Sequence, residues 1–294
     1  MAQYRQQKRF SDNEKGFQPD EELSDILTKL WEMDENKLIP EKDFSINLQS
    51  SVSFHARGDR SRWPLFDHFD EEGVFAKGTF DAFSKLLNNY EMECGEAEVV
   101  TREEIMENRT FINAIMETKV MQECHKYLIA KGKAKEDIGD FKCQLYNLWF
   151  VLFRRTRGDR DKDSSSFEHV FVGEYRDQEF IGLHNWLQIY LLEKAGKIDY
   201  HGYLKRDTIK DDSEQRLLAL QFTYHDEEDG PMEKPVCSTF LGTSPEFEIA
   251  AYTILFFTKQ GKTDVQLGEY EVEVACYPLQ HRYIGTAYIA AAKM

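Results

Sequence analysis

The chain has 294 residues, 41% of them hydrophobic, and carries a formal charge of −16. That length and apolar content are enough for one large domain or two modest ones, each with a real core, and they exclude disorder of the whole chain. No run of 18 apolar residues occurs and the first twenty residues are polar, so neither a membrane span nor a secretory leader is expected. With Met1, this points to a cytosolic or nuclear protein. The cysteines Cys94, Cys124, Cys143, Cys237 and Cys276 are odd in number, scattered and without a Cys-x-x-Cys pair, so they are expected to be reduced thiols of the core.

In chain order, the first half reads as helices. EELSDILTKLWEM places Leu23, Ile26, Leu27, Leu30 and Trp31 on one helical face, and TFDAFSKLLNNYEM does the same with Phe80, Phe83, Leu86, Leu87 and Tyr90. Between them, residues 34–75 hold Gly, Pro and Ser and read mostly as loop. Thr101 and Glu104 form a capping-box pattern that opens a helical stretch reaching, with a second segment, about Ala130. DFKCQLYNLWFVLF adds Phe141, Leu145, Leu148, Trp149 and Leu152 at helical spacing.

At residues 154–166, RRTRGDRDKDSSS, apolar side chains vanish and charge alternates, as in an exposed connection between subdomains. The pattern then changes. FEHVFVGE, LLALQFTYH, VCSTFLG, YEVEVACY and YIGTAYIA are short, rich in aromatic and β-branched residues, and read as strands. LHNWLQIYLLEKAG and SPEFEIAAYTILFF read as helices, the second opened by Ser244 as N-cap with Pro245 at the first helical position. The expected fold is α+β: a helical N-terminal half, residues 1–155, packed on a C-terminal half, residues 156–294, of antiparallel sheets with flanking helices.

Two histidines, His169 in FEHVFVGE and His184 in GLHNW, stand fifteen residues apart at the edges of regular elements, where they can converge on one cleft. Spacing alone does not separate a catalytic pair from a structural one. Their contexts do, because FEHVFVGE, GLHNW with its following EK, KPVCSTFLGTSPEFE and RYIGTAY resemble the successive signature blocks of the EndoU endoribonucleases. The resemblance extends into the helical half through LWEMDENKL, PLFDHFDEE, NNYEMECGEAEVVTREEI and ETKVMQ, and it is fullest with the animal, poly(U)-preferring members. Coronavirus endoribonucleases are remote kin.

That resemblance implies catalytic roles for His169, His184 and Lys234. Lys234 is placed by its KPV context and its spacing to Ser238; Lys210, which lacks that context, is the competing lysine. The implied reaction is attack by the ribose 2'-oxygen on the adjacent phosphorus of single-stranded RNA at uridylates, leaving a 2',3'-cyclic phosphate and a 5'-hydroxyl. Histidine suits both proton transfers near neutral pH, and an ammonium suits the developing phosphorane charge. By family analogy His184 is the base and His169 the acid. Thr286 and Tyr288, two apart on one strand face, and Ser238 are the expected substrate contacts, the ring stacking on a base and the hydroxyls bonding its edge.

Residues 1–155 hold 22 Lys and Arg against 29 Asp and Glu, and residues 156–294 hold 15 against 24, so neither half has the basic excess that an RNA binder usually carries. The resemblance implies stimulation by Ca2+ or Mn2+, and divalent cations would also relieve repulsion between this acidic surface and RNA, which acts over about 10 Å. The expected metal-responsive residues are Glu168 and Glu174, for which structural support or salt bridging is an equal alternative, and the Asp34–Asn36 pair. Asp159, Asp161 and Asp163 alternate but lack the rest of a calcium loop and read as a solvated acidic run. A monomer acting on RNA, off the membrane, is expected. The rivals are a catalytically silent RNA-binding or calcium-responsive regulator with the same fold, and a metal-dependent phosphoesterase in which the histidines hold a transition metal.

Overall fold

A computed structural model describes residues 16–53, 58–158, 160–204 and 216–291. The helices of the first half are α1 (Glu21–Met33), α2 (Glu71–Phe75), α3 (Gly78–Ser84), α4 (Arg102–Met116), α5 (Lys119–Ala130) and α6 (Ile138–Trp149). Thr101 and Glu104 make both reciprocal hydrogen bonds of a capping box at α4, so one sequence step satisfies two end-of-helix donors. α3 stops at Ser84, short of the expected helix, and Leu86 and Leu87 are buried from the turns that follow. Residues 34–75 contain more order than their composition suggests. β1 (Phe44–Ile46) pairs antiparallel with β3 (Phe66–Phe69), and β2 (Ser51–Val52) joins a larger sheet.

In the second half, β4 (Glu174–Arg176), β5 (Glu179–Ile181), α7 (Trp186–Lys194), β6 (Ile198–Leu204), β7 (Leu217–Asp226) and β8 (Gly230–Phe240) are followed by α8 (Pro245–Thr258), β9 (Gly261–Leu267), β10 (Tyr270–Leu279) and β11 (Tyr283–Ala291). They form a six-stranded sheet in the order β2-β6-β7-β8-β5-β4 and a three-stranded sheet in the order β11-β10-β9. Pairing is antiparallel except for the short β2–β6 and β5–β8 contacts. The HDEEDG segment is the tip of the β7–β8 hairpin, where the Asp226 carboxylate accepts the Glu228 and Asp229 N–H groups at 2.9 and 3.1 Å. Its ladder runs inward and sets Lys234 opposite Phe222.

α8 lies at the centre. Ser244 caps it, Pro245 opens it, and from Pro245 to Phe256 every side chain is buried. One apolar core runs across both halves, from Leu23 on α1 through Phe111 and Trp149 to Ile289 on β11. All five cysteines are free thiols, four buried and Cys143 exposed. Among the described residues no helix is long and apolar enough to cross a membrane.

One expected strand is absent. Residues 168–172 of FEHVFVGE form a single π-helical turn, Glu168–Val172, with every side chain buried. A run buried on all sides carries no alternation with which to distinguish a strand from a helical turn. Ser165 and Glu168 fix the start reciprocally: the Ser165 hydroxyl accepts the Glu168 N–H at 3.0 Å and the Glu168 carboxyl accepts the Ser165 N–H at 3.1 Å. Phe167 and Phe171 then anchor the turn on Phe83, with ring centroids 5.5 and 5.4 Å away, and on Phe150 and Trp149. The helical half is thus the floor on which His169 stands.

Candidate active site

The two histidines meet because the π-turn and the segment after β5 bond to each other as backbones. Leu183 N–H donates to the His169 carbonyl at 2.9 Å, and His184 N–H donates to the Val170 carbonyl at 2.7 Å. Gly182 permits this approach: its φ is +65°, and a Cβ there would lie 2.0 Å from the His169 carbonyl oxygen. Gly173, with φ +97° and Phe180 carbons 2.7 Å from a built Cβ, closes the other end of the turn and lets β4 begin at Glu174.

His169 is buried, and its Nδ1 lies 2.6 Å from Glu174 Oε2. A carboxylate accepts, so Nδ1 carries a proton and the proton-transfer nitrogen is Nε2. Arg155 Nη2 also approaches Nδ1, at 2.5 Å, but a protonated Nδ1 cannot accept from it; the bond to the carboxylate is the one consistent with Glu174's charge. Burial, then the Arg155 charge, pull the His169 ring down to about 4, against the upward pull of Glu174. Burial pushes the Glu174 carboxyl up, but Arg155 and His169 together outweigh it and hold it below its ordinary value.

His184 stands at the entry to α7, whose N-cap is Asn185. Its Nδ1 donates to the Ser238 carbonyl at 3.0 Å, leaving Nε2 as an unprotonated acceptor. Burial, then Lys234 and His169, hold its pKa well below the ordinary histidine value. Tyr288 of β11 lies against the ring, with centroids 5.2 Å apart and planes tilted by 31°. Lys234 is buried on β8, and burial lowers its pKa while Cys237 and Glu179 act against that drop. Its charge pulls both histidines down, and its strand also carries the Ser238 carbonyl that His184 meets. Between Lys234 and Ser238 the β7–β8 register shifts, and Pro235, which has no N–H to offer a ladder, lies in that shift.

Thr286 and Tyr288 lie half-buried on β11, opposite Tyr277 and Ala275, while Ala287 and Ile289 between and beyond them point into the core. Tyr288 is therefore half-buried beside the His184 ring and not enclosed in the core. Ser238 is buried opposite Ala219 and contributes its main-chain carbonyl to His184.

The residues proposed for a metal fall into two places. Glu168 serves the Ser165 box and is held well above its ordinary pKa by burial and then by Glu174; Glu174 orients His169. Each thus makes the hydrogen bonds of the structural alternative, Glu168 within the Ser165 box and Glu174 to His169. Asp34 and Asn36 lie at the end of α1, beside α8: Asp34 Oδ2 accepts the Ser244 N–H at 3.1 Å, and Asn36 Nδ2 donates to Glu246 Oε1 at 2.6 Å. Among the described residues no three His, Cys, Asp or Glu side chains form a metal-binding group.

Two features escaped the sequence reading. Arg155 was part of an exposed charged linker, yet it sits on His169, Glu174 and Gly285. Asp163, read as solvated, is buried and accepts the Arg155 and Gly95 N–H groups, each at 2.8 Å. Ser164, Ser165 and Ser166 are buried with it. The Ser165-x-x-Glu168 spacing was the available signal that this linker folds inward. Asp161 is exposed, as expected; Asp159 and Lys210 lie outside the described residues.

Comparison with known proteins bears on what this cleft does. A family model described as endoribonuclease XendoU matches residues 22–289. The poly(U)-specific endoribonuclease A of Xenopus laevis is 48% identical over 278 residues, covering 91% of this chain and 92% of its own. The human uridylate-specific endoribonuclease is 37% identical over 286 residues, 92% of this chain and 66% of that one. A solved structure of XendoU, a splicing-independent snoRNA processing endoribonuclease, superposes with a TM-score of 0.82 at 46% identity, covering 94% of this chain and 99% of that one.

Proposed function

Since the chain belongs to the XendoU endoribonuclease family, we propose that it cuts single-stranded RNA at uridylates by intramolecular transesterification, leaving a 2',3'-cyclic phosphate and a 5'-hydroxyl. The observation that carries this reading is the opposite commitment of the two imidazoles: His184 gives its Nδ1 proton to a neutral carbonyl, His169 to a carboxylate. A neutral acceptor leaves His184 Nε2 a bare base for the 2'-hydroxyl proton. The carboxylate favours the imidazolium at His169, which protonates the departing 5'-oxygen from Nε2.

Lys234 supplies the fixed positive charge for the phosphorane-like transition state. In the RNA-free protein His169 is neutral at pH 7, because its pKa is about 4. A phosphodiester placed among the two rings and Lys234 brings negative charge into that buried space and raises the ring's proton affinity, so the acid is loaded as substrate binds. Each histidine role is typically worth about 10²- to 10⁴-fold in rate. Tyr288 offers a face for a uracil or ribose, and Thr286 and Ser238 offer hydroxyls for the base edge.

Ca2+ or Mn2+ enters this reading as an activator, because the three side chains fill every chemical role. At Asp34 and Asn36, the expected hard-cation position, Asp34 Oδ1, Glu246 Oε2 and Glu248 Oε2 are buried without hydrogen-bond partners, but among the described residues these carboxyls do not form a metal-binding group. Burial raises the pKa of all three carboxyls, and Asp34 pushes the two glutamates further up.

The test is a pair of uridine oligonucleotides, one carrying 2'-deoxyuridine at the cut site, incubated with and without calcium or manganese. Only the ribose copy should be cut, to a cyclic phosphate. Cleavage of the deoxy copy, or a linear phosphate as first product, would overturn the mechanism.

A further inference from the structure

We infer that Arg155 is a positioning residue that governs the proton on His169, holding the ring, its carboxylate partner Glu174 and the start of β11 in one arrangement. The inference rests on the acid role proposed for His169. Its basis is a geometric conflict. Arg155 Nη2 donates to the Gly285 carbonyl at 2.7 Å and lies 2.5 Å from His169 Nδ1, while Nε lies 3.3 Å from Glu174 Oε2. Glu174 Oε2 is itself 2.6 Å from the same Nδ1.

A ring nitrogen has one in-plane position, which either holds a proton and donates or holds a lone pair and accepts. Two arrangements therefore compete. With Nδ1–H directed at Glu174, Arg155 turns its N–H groups to Gly285 and the carboxylate, and the ring can take a second proton at Nε2. With Arg155 donating into Nδ1, the single proton sits on Nε2 and the ring stays neutral, a far weaker acid. Arg155 thus both keeps Glu174 ionised and opposes the imidazolium that Glu174 favours.

The guanidinium is placed for this and not merely exposed nearby. Its side chain is 14% exposed, and the backbone N–H of Arg155 is pinned to the buried Asp163, which also accepts from Gly95. Gly285 directly precedes Thr286, so the same guanidinium ties the acid to the strand expected to meet the base. The charged and titratable groups facing His169 are Glu174, Arg155, Lys234 and the neutral His184, with Glu168 behind Glu174. Of the cationic groups, Arg155 alone contacts Nδ1 among the described residues.

The experiment follows the His169 ring directly, by NMR titration of the RNA-free full chain labelled at histidine, in parent, R155K and R155Q proteins; H169A assigns the signal. R155Q should move the His169 midpoint up by at least one pH unit, a tenfold gain in proton affinity. R155K, which keeps the charge but cannot span Nδ1, Glu174 and Gly285 together, should fall between. In cleavage assays R155Q should lose at least tenfold in kcat with KM changed less than threefold, and the alkaline limb of the profile should move to higher pH. A His169 midpoint unchanged in R155K and R155Q overturns the inference, and R155K suffices if R155Q does not fold. Full activity in H169A would instead remove the acid assignment, a separate outcome that the RNA-free titration does not depend on.

Discussion

The surroundings of the two histidines differ in kind. His169 stands on the helical half, its Nδ1 facing a carboxylate that a guanidinium holds ionised; His184 stands at the mouth of the sheets, its Nδ1 facing a carbonyl and its ring facing Tyr288. Both rings are depressed by burial, so burial alone does not separate their roles. The difference lies in the partner: a charged acceptor favours the doubly protonated ring, a neutral one leaves a base. On the proposed mechanism, one fold thus prepares an acid and a base from the same side chain by seating each on a different layer.

The largest effect should come from deleting either ring. H184A and H169A are each expected to lose about 10²- to 10⁴-fold in kcat while still binding a 2'-deoxyuridine oligonucleotide. Single-turnover cleavage and fluorescence anisotropy measure the two quantities, and residual activity near the parent's for H184A would remove that ring from the site.

E174Q sharpens the contrast. Glutamine can still accept from Nδ1 but carries no charge, so kcat should fall by about 100-fold, the low end of a general-acid contribution. Its signature is a change in the limb of the pH profile that reports His169. If E174Q lowers only thermal stability, the carboxylate is a structural prop and the contrast between the rings fails.

Separating the rings mechanically should cost less. G182A forces a Cβ toward the His169 carbonyl at a φ that L-residues rarely adopt, which should destabilise the protein by about 1–3 kcal/mol. Chemical denaturation measures that loss, and cleavage should fall further than stability at a temperature where the variant remains folded. Equal stability to the parent would show that the turn does not need glycine.

The smallest effect tests the element behind His184. Glu248 accepts from Asn185, the cap of α7, and burial raises its pKa to about 8. A carboxyl whose folded pKa exceeds its unfolded value stabilises fully below about 4.5, and that contribution is lost as pH rises through about 8. E248Q should remove this loss, so with chelator present its Tm at pH 9 should exceed the parent's by a few degrees and match it near pH 5. A parent Tm that rises between pH 5 and 9 faster than the variant's would contradict the assignment.

Several elements were legible because their signals are local. The apolar stripe of α1, the Thr101–Glu104 box and the Ser244–Pro245 start of α8 each depend on neighbours within a turn or two, and each formed as read. Other elements gave no local signal. The π-turn is buried on every side, so it carries no period. Arg155, Asp163 and the three serines look like solvent-facing linker until β11 and the 93–95 segment close over them. β1 and β3 are too short to announce themselves without their partner.

The order of residues alone carries the chemistry available: two histidines and a lysine in recognisable blocks, an acidic chain with no basic excess in either half, and thiols without a pairing pattern. Tertiary structure decided which nitrogen of each ring is committed, because that depends on what lies opposite it. Glu174 comes from five residues away around a glycine turn, and the Ser238 carbonyl from a strand fifty-four residues on. A proton's place on an imidazole is fixed by the acceptor in front of it, and sequence order does not say which acceptor that will be.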